Sequence, residues 1–278
     1  MKVTKYSGEV VTFEKDKLKK SLFKSGASEA DVNRVLETIE KQLYDGIPTK
    51  KIYKMAFQLL KKIANVHAAK YNLRTAIMAL GPAGFYFEKF IAKLFQMEGF
   101  ETMTNLTLNG KCVSHELDVL LRKNEKISMV ECKFHSSQDA KTNVKVPMYI
   151  LSRFNDLAVK EYTLFNETHK ISKCKIVTNN RFTEDAVQFA TCSNMELLSW
   201  NYPSGSSLKN KIDSYHIYPV TALTTLTLLE KDKLLTQNII TAKELLTNKE
   251  WLNKIGLSQN RIKNVLKETN QLCNILNY

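Results

Sequence analysis

The sequence predicts an α/β protein of more than one domain. A mostly helical N-terminal unit carries a small β-hairpin, a central α/β/α sandwich is built on a mixed sheet, and the tail is helical. Three observations carry this reading. Apolar residues at helical spacing fill residues 18–80 and return in the tail after 204. Between them, apolar and polar residues alternate as in strands, most plainly in HELDVLLRKNEKISMVECKFH, His115 to His135. Two turn-rich breaks, Gly81-Pro82 and Tyr202-Pro203-Ser204-Gly205, divide the chain into 1–82, 83–203 and 204–278. With 278 residues, 44% of them hydrophobic, the chain can fill two or three small cores.

The elements follow in order. KVTKY and EVVTF form a short hairpin turning at Ser7-Gly8. Leu18, Leu22 and Phe23 mark a first helix. Val32, Val35, Leu36 and Ile39 mark a second over 31–42, with Ser28 as its N-cap. After the Asp45-Gly46 turn, Pro48-Thr49 opens a third helix with Ile52, Met55, Ala56, Leu59, Leu60 and Ile63 on one face. A further helix runs over 71–80 and stops at Gly81-Pro82. GFYFEKFIAKLFQMEGF is an amphipathic helix closed by Gly99. Strands fill 102–134, with turns at Asn109-Gly110 and Asn124-Glu125. Then come a helix over 147–163, a strand over 174–180, a helix over 182–193 and a strand over 195–200. This order belongs to an α/β sandwich. Helices are expected over 208–212 and through 219–278, two of them around Ile255-Gly256-Leu257.

Lys and Arg outnumber Asp and Glu by 41 to 28, a formal charge of +13. Such an excess favours polyanionic partners. The five cysteines are scattered, without CxxC spacing, which speaks against a disulfide framework or a cysteine-based structural zinc site. MKVTKYSGEV lacks the apolar stretch of a signal peptide, and no apolar run approaches a membrane span. The expected location is cytoplasmic.

The hairpin places charge where a core is expected. Glu131 and Lys133 share a strand face, joined by His135 if the strand continues, while Val130, Cys132 and Phe134 point the other way. Folding about Asn124-Glu125 brings Asp118 level with Val130 or Glu131. Like charges side by side are costly unless neutralised. Lys133 can offset one carboxylate; a divalent cation offsets both. Mg²⁺, or Mn²⁺ in its place, accepts such hard oxygen ligands, with Asp118, Glu131 and the main-chain carbonyl of Cys132 as the set. Lys133 is then positioned to orient a water or steady a phosphoryl transition state. A cross-strand ion pair without catalysis is the plainer alternative.

Asp118 with Glu131-Cys132-Lys133 resembles the PD-(D/E)xK nuclease signature in its Mrr-like restriction endonuclease form, across roughly 83–200. Leu117 stands where that family often has Pro or Gly. The resemblance implies a restriction-endonuclease-like fold, and a glutamate on the helix before the hairpin, here Glu88. His135 either contacts the scissile phosphate or caps the strand. Gln138 is a further candidate for orienting water or substrate.

Residues 1–82 resemble an ATP-cone through Val3, Lys5, Gly8, Phe13 and Lys17, and through Tyr44-Asp45-Gly46-Ile47 followed by Thr49. The resemblance implies ATP or dATP as a regulatory ligand. Lys5 and Lys17 would meet phosphates, Val3 and Ile52 would sandwich the adenine, and Thr49 would bond its edge. Tyr53 and Tyr6 depart from the family's histidine and arginine. No GxxxxGK[ST] occurs, so binding without hydrolysis is expected. LNKIGLSQNRIKNVLKE resembles half of a helix-hairpin-helix that presents amides to DNA phosphate. The combined expectation is a Mg²⁺-dependent DNA endonuclease regulated by adenine nucleotide, acting as a homo-oligomer. A non-catalytic nucleotide-sensing DNA-binding protein, or a nuclease for RNA or branched DNA, is the alternative.

Overall fold

Gly8, at φ +85°, takes the left-handed backbone that lets the N-terminal chain reverse. β1 (Lys2–Thr4) then pairs antiparallel with β2 (Val10–Thr12), Val3 opposite Val11, and parallel with β3 (Ile47–Pro48). These coordinates, a computed structural model, describe residues 1–5, 7–81 and 84–274. Tyr6 and Pro82 therefore lie outside the described residues. The chain divides into two units, Met1–Ala76 with Tyr218–Tyr278, and Ile77–Ile217.

In the first unit, α1 (Lys15–Phe23), α2 (Glu29–Glu40) and α3 (Thr49–Ile63) pack around Val3, Leu22, Val35, Ile39, Ile52 and Leu60. Ser28 caps α2 as its sequence position predicts, accepting the Asp31 N–H at 3.2 Å. The helix expected over 71–80 is α5 (Leu73–Met78), and a helix not expected, α4 (Asn65–Tyr71), precedes it. The break falls at Asn72, where the Tyr53 hydroxyl donates to Asn72 Oδ1 at 2.7 Å and lies 3.2 Å from the Tyr71 carbonyl oxygen.

The second unit is a layered α/β structure. α6 (Phe85–Met97) lies against a sheet of β4 (Glu101–Asn109), β5 (Ser114–Lys123) and β6 (Lys126–Lys133), all antiparallel. A two-residue strand, β7 (Lys141–Thr142), precedes α7 (Lys145–Ala158). β8 (Glu161–Leu164) then pairs antiparallel with β9 (Glu167–Thr178), which runs parallel to β6. β10 (Arg181–Phe182) pairs with β7, α8 (Glu184–Cys192) follows, and β11 (Glu196–Leu198) joins β9 in parallel. The sheet order is β11-β9-β6-β5-β4, a mixed sheet of the restriction-endonuclease-like kind. Ile150 and Leu157 of α7 pack with Leu120, Met129 and Ile176 of the sheet. Two boundaries differ from expectation. Residues 161–163, read as helix, belong to the edge strand β8. β9 begins at Glu167, earlier than the 174 expected, because its first half pairs with that edge strand. α9 (Leu208–Ser214) closes the unit with a Ser207–Asn210 capping box.

The chain after residue 204 divides at Ile217. Residues up to Ile217 stay with the sheet, while 218–274 fold with the first unit. There a 3-10 turn (Val220–Ala222), α10 (Leu228–Thr236), α11 (Glu244–Thr247), α12 (Glu250–Lys254) and α13 (Gln259–Leu272) follow one another, and α13 packs on α4. Polar contacts fix this joint. Lys61 Nζ of α3 donates to the Thr224 carbonyl at 2.8 Å, and Thr221 Oγ1 donates to the Ala76 carbonyl at 2.6 Å. The buried Glu268 carboxylate accepts the N–H and hydroxyl of both Thr224 and Thr225 at 2.7–2.9 Å. At the Ile255-Gly256-Leu257 turn, the amides expected to face DNA are engaged within α12: Gly256 N–H donates to Asn253 and Leu257 N–H to Leu252. Among the described residues no helix is long and apolar enough to cross a membrane.

Candidate active site and nucleotide cavity

The acidic site grows out of an opening between two strands. The β5–β6 ladder runs from Lys123 opposite Lys126 to Val119 opposite Val130. One step on, that register sets Asp118 level with Glu131, on the same face of the sheet. There the strands part. The Cys132 N–H donates not to β5 backbone but to Asp118 Oδ2, at 2.6 Å. Arg153 reaches in from α7: one guanidinium nitrogen bonds Glu131 Oε2 at 2.6 Å and the other bonds the Glu116 carbonyl. Lys133 Nζ sits 2.5 Å from Glu131 Oε1. Both oxygens of Glu131, a side chain only 5% exposed, thus meet a cation.

Glu88 comes from the first turn of α6. Gly84 begins α6 in the left-handed region at φ +80°, and a Cβ there would stand 3.5 Å from both Glu88 Oε1 and Phe134 Cβ. Phe87 meets the Phe134 ring at 5.6 Å, seating the first turn of α6 against the end of β6. Burial, then the charges of Asp118 and Glu131, push the Glu88 carboxyl up to about 7, against the pull of Lys133. Burial and Glu131 push Asp118 up to about 6, opposed by the Cys132 amide, Lys133 and Arg153. Glu88 and Asp118, buried beside the Glu131 charge, therefore do not ionise freely near neutrality. Asp118 and Glu131 are hard oxygen donors of the kind that would hold a divalent cation.

His135 lies beyond the end of β6, so it does not continue the Glu131–Lys133 face as a strand residue. Its N–H donates to Asn179 Oδ1 and its carbonyl accepts from Asn179 Nδ2, both at 2.8 Å, while Nε2 lies 2.8 Å from Thr142 Oγ1. Burial and Lys133 lower its proton affinity. Gln138 lies in the exposed loop that follows. The residue that sequence reasoning missed is Arg153. Its signal was present: Arg153 falls between Ile150 and Leu157 on the apolar stripe of a predicted helix, a place where arginine requires an ionic partner.

Of the expected nucleotide residues, Val3, Lys5, Lys17, Thr49, Ile52 and Tyr53 line one cavity of about 290 Å³, joined by Phe13, Glu14 and Tyr71. Gly8 is not among the lining residues; it forms the hairpin turn. Lys5 and Lys17 are paired with Glu9 and Glu14 at 2.9 and 2.6 Å, contacts exposed enough to exchange for phosphate. Tyr53 and Tyr71 stack at 4.8 Å, and burial pushes the Tyr53 hydroxyl up to about 12.

Three family models match this chain. Residues 1–75 match the ATP cone domain, 82–201 match the restriction endonuclease domain, and 218–273 match the AF1548-like C-terminal domain. An uncharacterized protein of Archaeoglobus fulgidus is 31% identical over 186 residues, covering 66% of this chain and 99% of that protein. The crystal structure of a protein of unknown function, AF1548, is similar with a TM-score of 0.56 and 29% identity, covering 68% of this chain and 98% of the other. The structure of Can2 from Sulfobacillus thermosulfidooxidans in complex with cyclic tetra-adenylate is more distant, at 16% identity and a TM-score of 0.34 over 71% of this chain and 54% of the other.

Proposed function

This chain belongs to the family of the Archaeoglobus fulgidus protein and joins an ATP cone to a restriction endonuclease domain of the Mrr kind; from that premise we propose that it is a divalent-metal-dependent DNA endonuclease regulated by ATP or dATP. The observation that carries the reading is the fork itself. Asp118 and Glu131 stand level where β5 and β6 separate, Lys133 touches Glu131, and Glu88 and Asp118 hold protons far above the usual carboxylate range.

Asp118, Glu131 and the Cys132 carbonyl would hold Mg²⁺ or Mn²⁺, which when bound lowers the pKa of a water and offsets charge on phosphate. The protein's own groups do the rest. Arg153 holds Glu131 and the Glu116 backbone in one geometry, fixing the width of the fork. Lys133, about one-third exposed, orients the attacking water or steadies the phosphoryl oxygens. Glu88, half-buried beside Asp118 and Glu131, has its carboxyl raised by burial and by their charges in the metal-free chain, which suits it to proton exchange. The net charge of +13 favours a nucleic-acid substrate. Lys5 and Lys17 would exchange their glutamates for nucleotide phosphates, and Thr49 and Ile52 would seat the base.

Plasmid cleavage with Mg²⁺, with and without ATP or dATP, tests the reading. Wild type should cut, and Asp118→Ala and Glu131→Ala should bind DNA without cutting. Equal cleavage by Glu131→Ala would remove the metal site. Cleavage of RNA or branched DNA in preference to plasmid would replace the substrate.

A further inference from the structure

A second cluster of metal-ligating groups lies at the opposite end of the β5–β6 hairpin from the acidic fork. Two tight hairpin turns meet there. Asn124-Glu125 joins β5 to β6, and Phe165-Asn166 joins β8 to β9, all four residues having positive φ. The first turn carries Glu125. Glu167 begins β9, and His169, two residues on, shares its face. One carboxylate oxygen from each glutamate and one imidazole nitrogen lie within 4.8 Å of one another.

The independent sign of a ligand is His169. Its side chain is 8% exposed, yet Nε2 has no hydrogen-bond partner. Glu167 Oε2 is 3.3 Å away but outside hydrogen-bond geometry. A buried ring nitrogen without a partner is costly and calls for one. The nearby cation does not fill that role. Arg122 gives two bonds to Glu101, at 3.0 and 2.7 Å, and only one, at 3.3 Å, to Glu167. Glu101, Glu125 and Glu167 together outnumber it.

We propose that Glu125, Glu167 and His169 bind a divalent transition-metal ion, zinc before others, which clips the β5–β6 turn to the start of β9. An imidazole beside two carboxylates suits Zn²⁺ and not Mg²⁺, whose ligands are oxygens, and a fourth position is left for water. No cysteine takes part, so the site has none of the spacing by which zinc is read from sequence. The proposal is independent of the nuclease reading, since it uses none of the fork residues.

The test is titration of the full-length protein with ZnCl₂ by calorimetry, with thermal melting alongside. Asp118→Asn, which disarms the fork, should retain one zinc equivalent and the rise in melting temperature that goes with it. His169→Ala and Glu125→Gln should each weaken that equivalent by about tenfold or more, since losing even an outer-shell partner costs about 10–100-fold. Glu125 is exposed, so its substitution leaves the fold in place should His169→Ala fail to fold. Bound Co²⁺ should give visible absorption in Asp118→Asn and lose it in Glu125→Gln. Zinc affinity unchanged in Glu125→Gln, or zinc binding abolished by Asp118→Asn alone, overturns the proposal.

Discussion

Asp118→Asn should stabilise the metal-free endonuclease unit at pH 8 and leave it unchanged near pH 3. In the folded chain, burial and Glu131 raise the Asp118 carboxyl from 3.8 to about 6. Below both values the group is protonated in the folded and unfolded chains alike and contributes no difference. Between them the folded chain keeps a proton that the unfolded chain has released, so stability falls as pH rises, and above 6 the full penalty is present. A shift of about two units corresponds to ~3 kcal/mol at ~1.36 kcal/mol per unit. Asparagine keeps the side-chain shape and its carbonyl still accepts the Cys132 N–H, so ~2 kcal/mol should be recovered at pH 8 after allowing for a weaker bond to a neutral acceptor. The assay is urea unfolding in chelator, followed by Trp200 fluorescence in a Trp251→Phe background, because Trp251 belongs to the other unit. Mg²⁺ should then reverse the order, stabilising the wild type by ~2.7 kcal/mol at a hundred times its Kd and the variant little. A variant less stable than wild type at pH 8, or a difference that does not change with pH, would refute the crowding of acids from which the metal site is argued.

Arg153→Ala leaves the Glu131 carboxylate buried with Lys133 alone and should cost ~3 kcal/mol in the same assay, with Arg153→Lys recovering part of it. Lys17→Ala should weaken ATP binding about tenfold by calorimetry, one charge-assisted phosphate contact being worth roughly 1.5–3 kcal/mol, without altering Mn²⁺ affinity. Glu268→Ala strips the acceptor from four donors at Thr224 and Thr225 and should destabilise the first unit by about 3 kcal/mol, read from Trp251 fluorescence.

The parts of this protein that were legible in its sequence are those fixed by local rules. The Asn124-Glu125 turn and the period-two pattern on either side bring Asp118 level with Val130 or Glu131, and the observed register settles on Glu131. Ser28, Gly84 and Gly99 bound their helices through capping and positive φ. What was not legible depends on partners distant in the chain. Residues 161–164 have no intrinsic pattern that excludes a continued helix, and become a strand because β9 offers an edge. Arg153 gains its meaning only when α7 is laid across the opening between two strands. Nor does any local signal tell the tail to fold with the first unit, because the Thr221–Ala76 and Lys61–Thr224 contacts join residues 145 and 163 positions apart.

That return of the tail bears on regulation. The endonuclease unit is an insertion between two segments of one other unit, the chain leaving at Ala76 and re-entering at Tyr218. These two connections are tied together at their base, where Thr221 donates to the Ala76 carbonyl at 2.6 Å. α3 lines the cavity proposed for the nucleotide with Thr49, Ile52 and Tyr53 in its first turns, and in its last turn Lys61 holds the segment that follows re-entry. A ligand shifts an equilibrium only by its difference in affinity for two states. On the regulatory reading proposed here, those states differ in the position of α3, because it is the element that meets both the nucleotide and the returning chain. A rigid helix moved at one end moves at the other, and here the far end holds the segment after re-entry through the Lys61–Thr224 hydrogen bond.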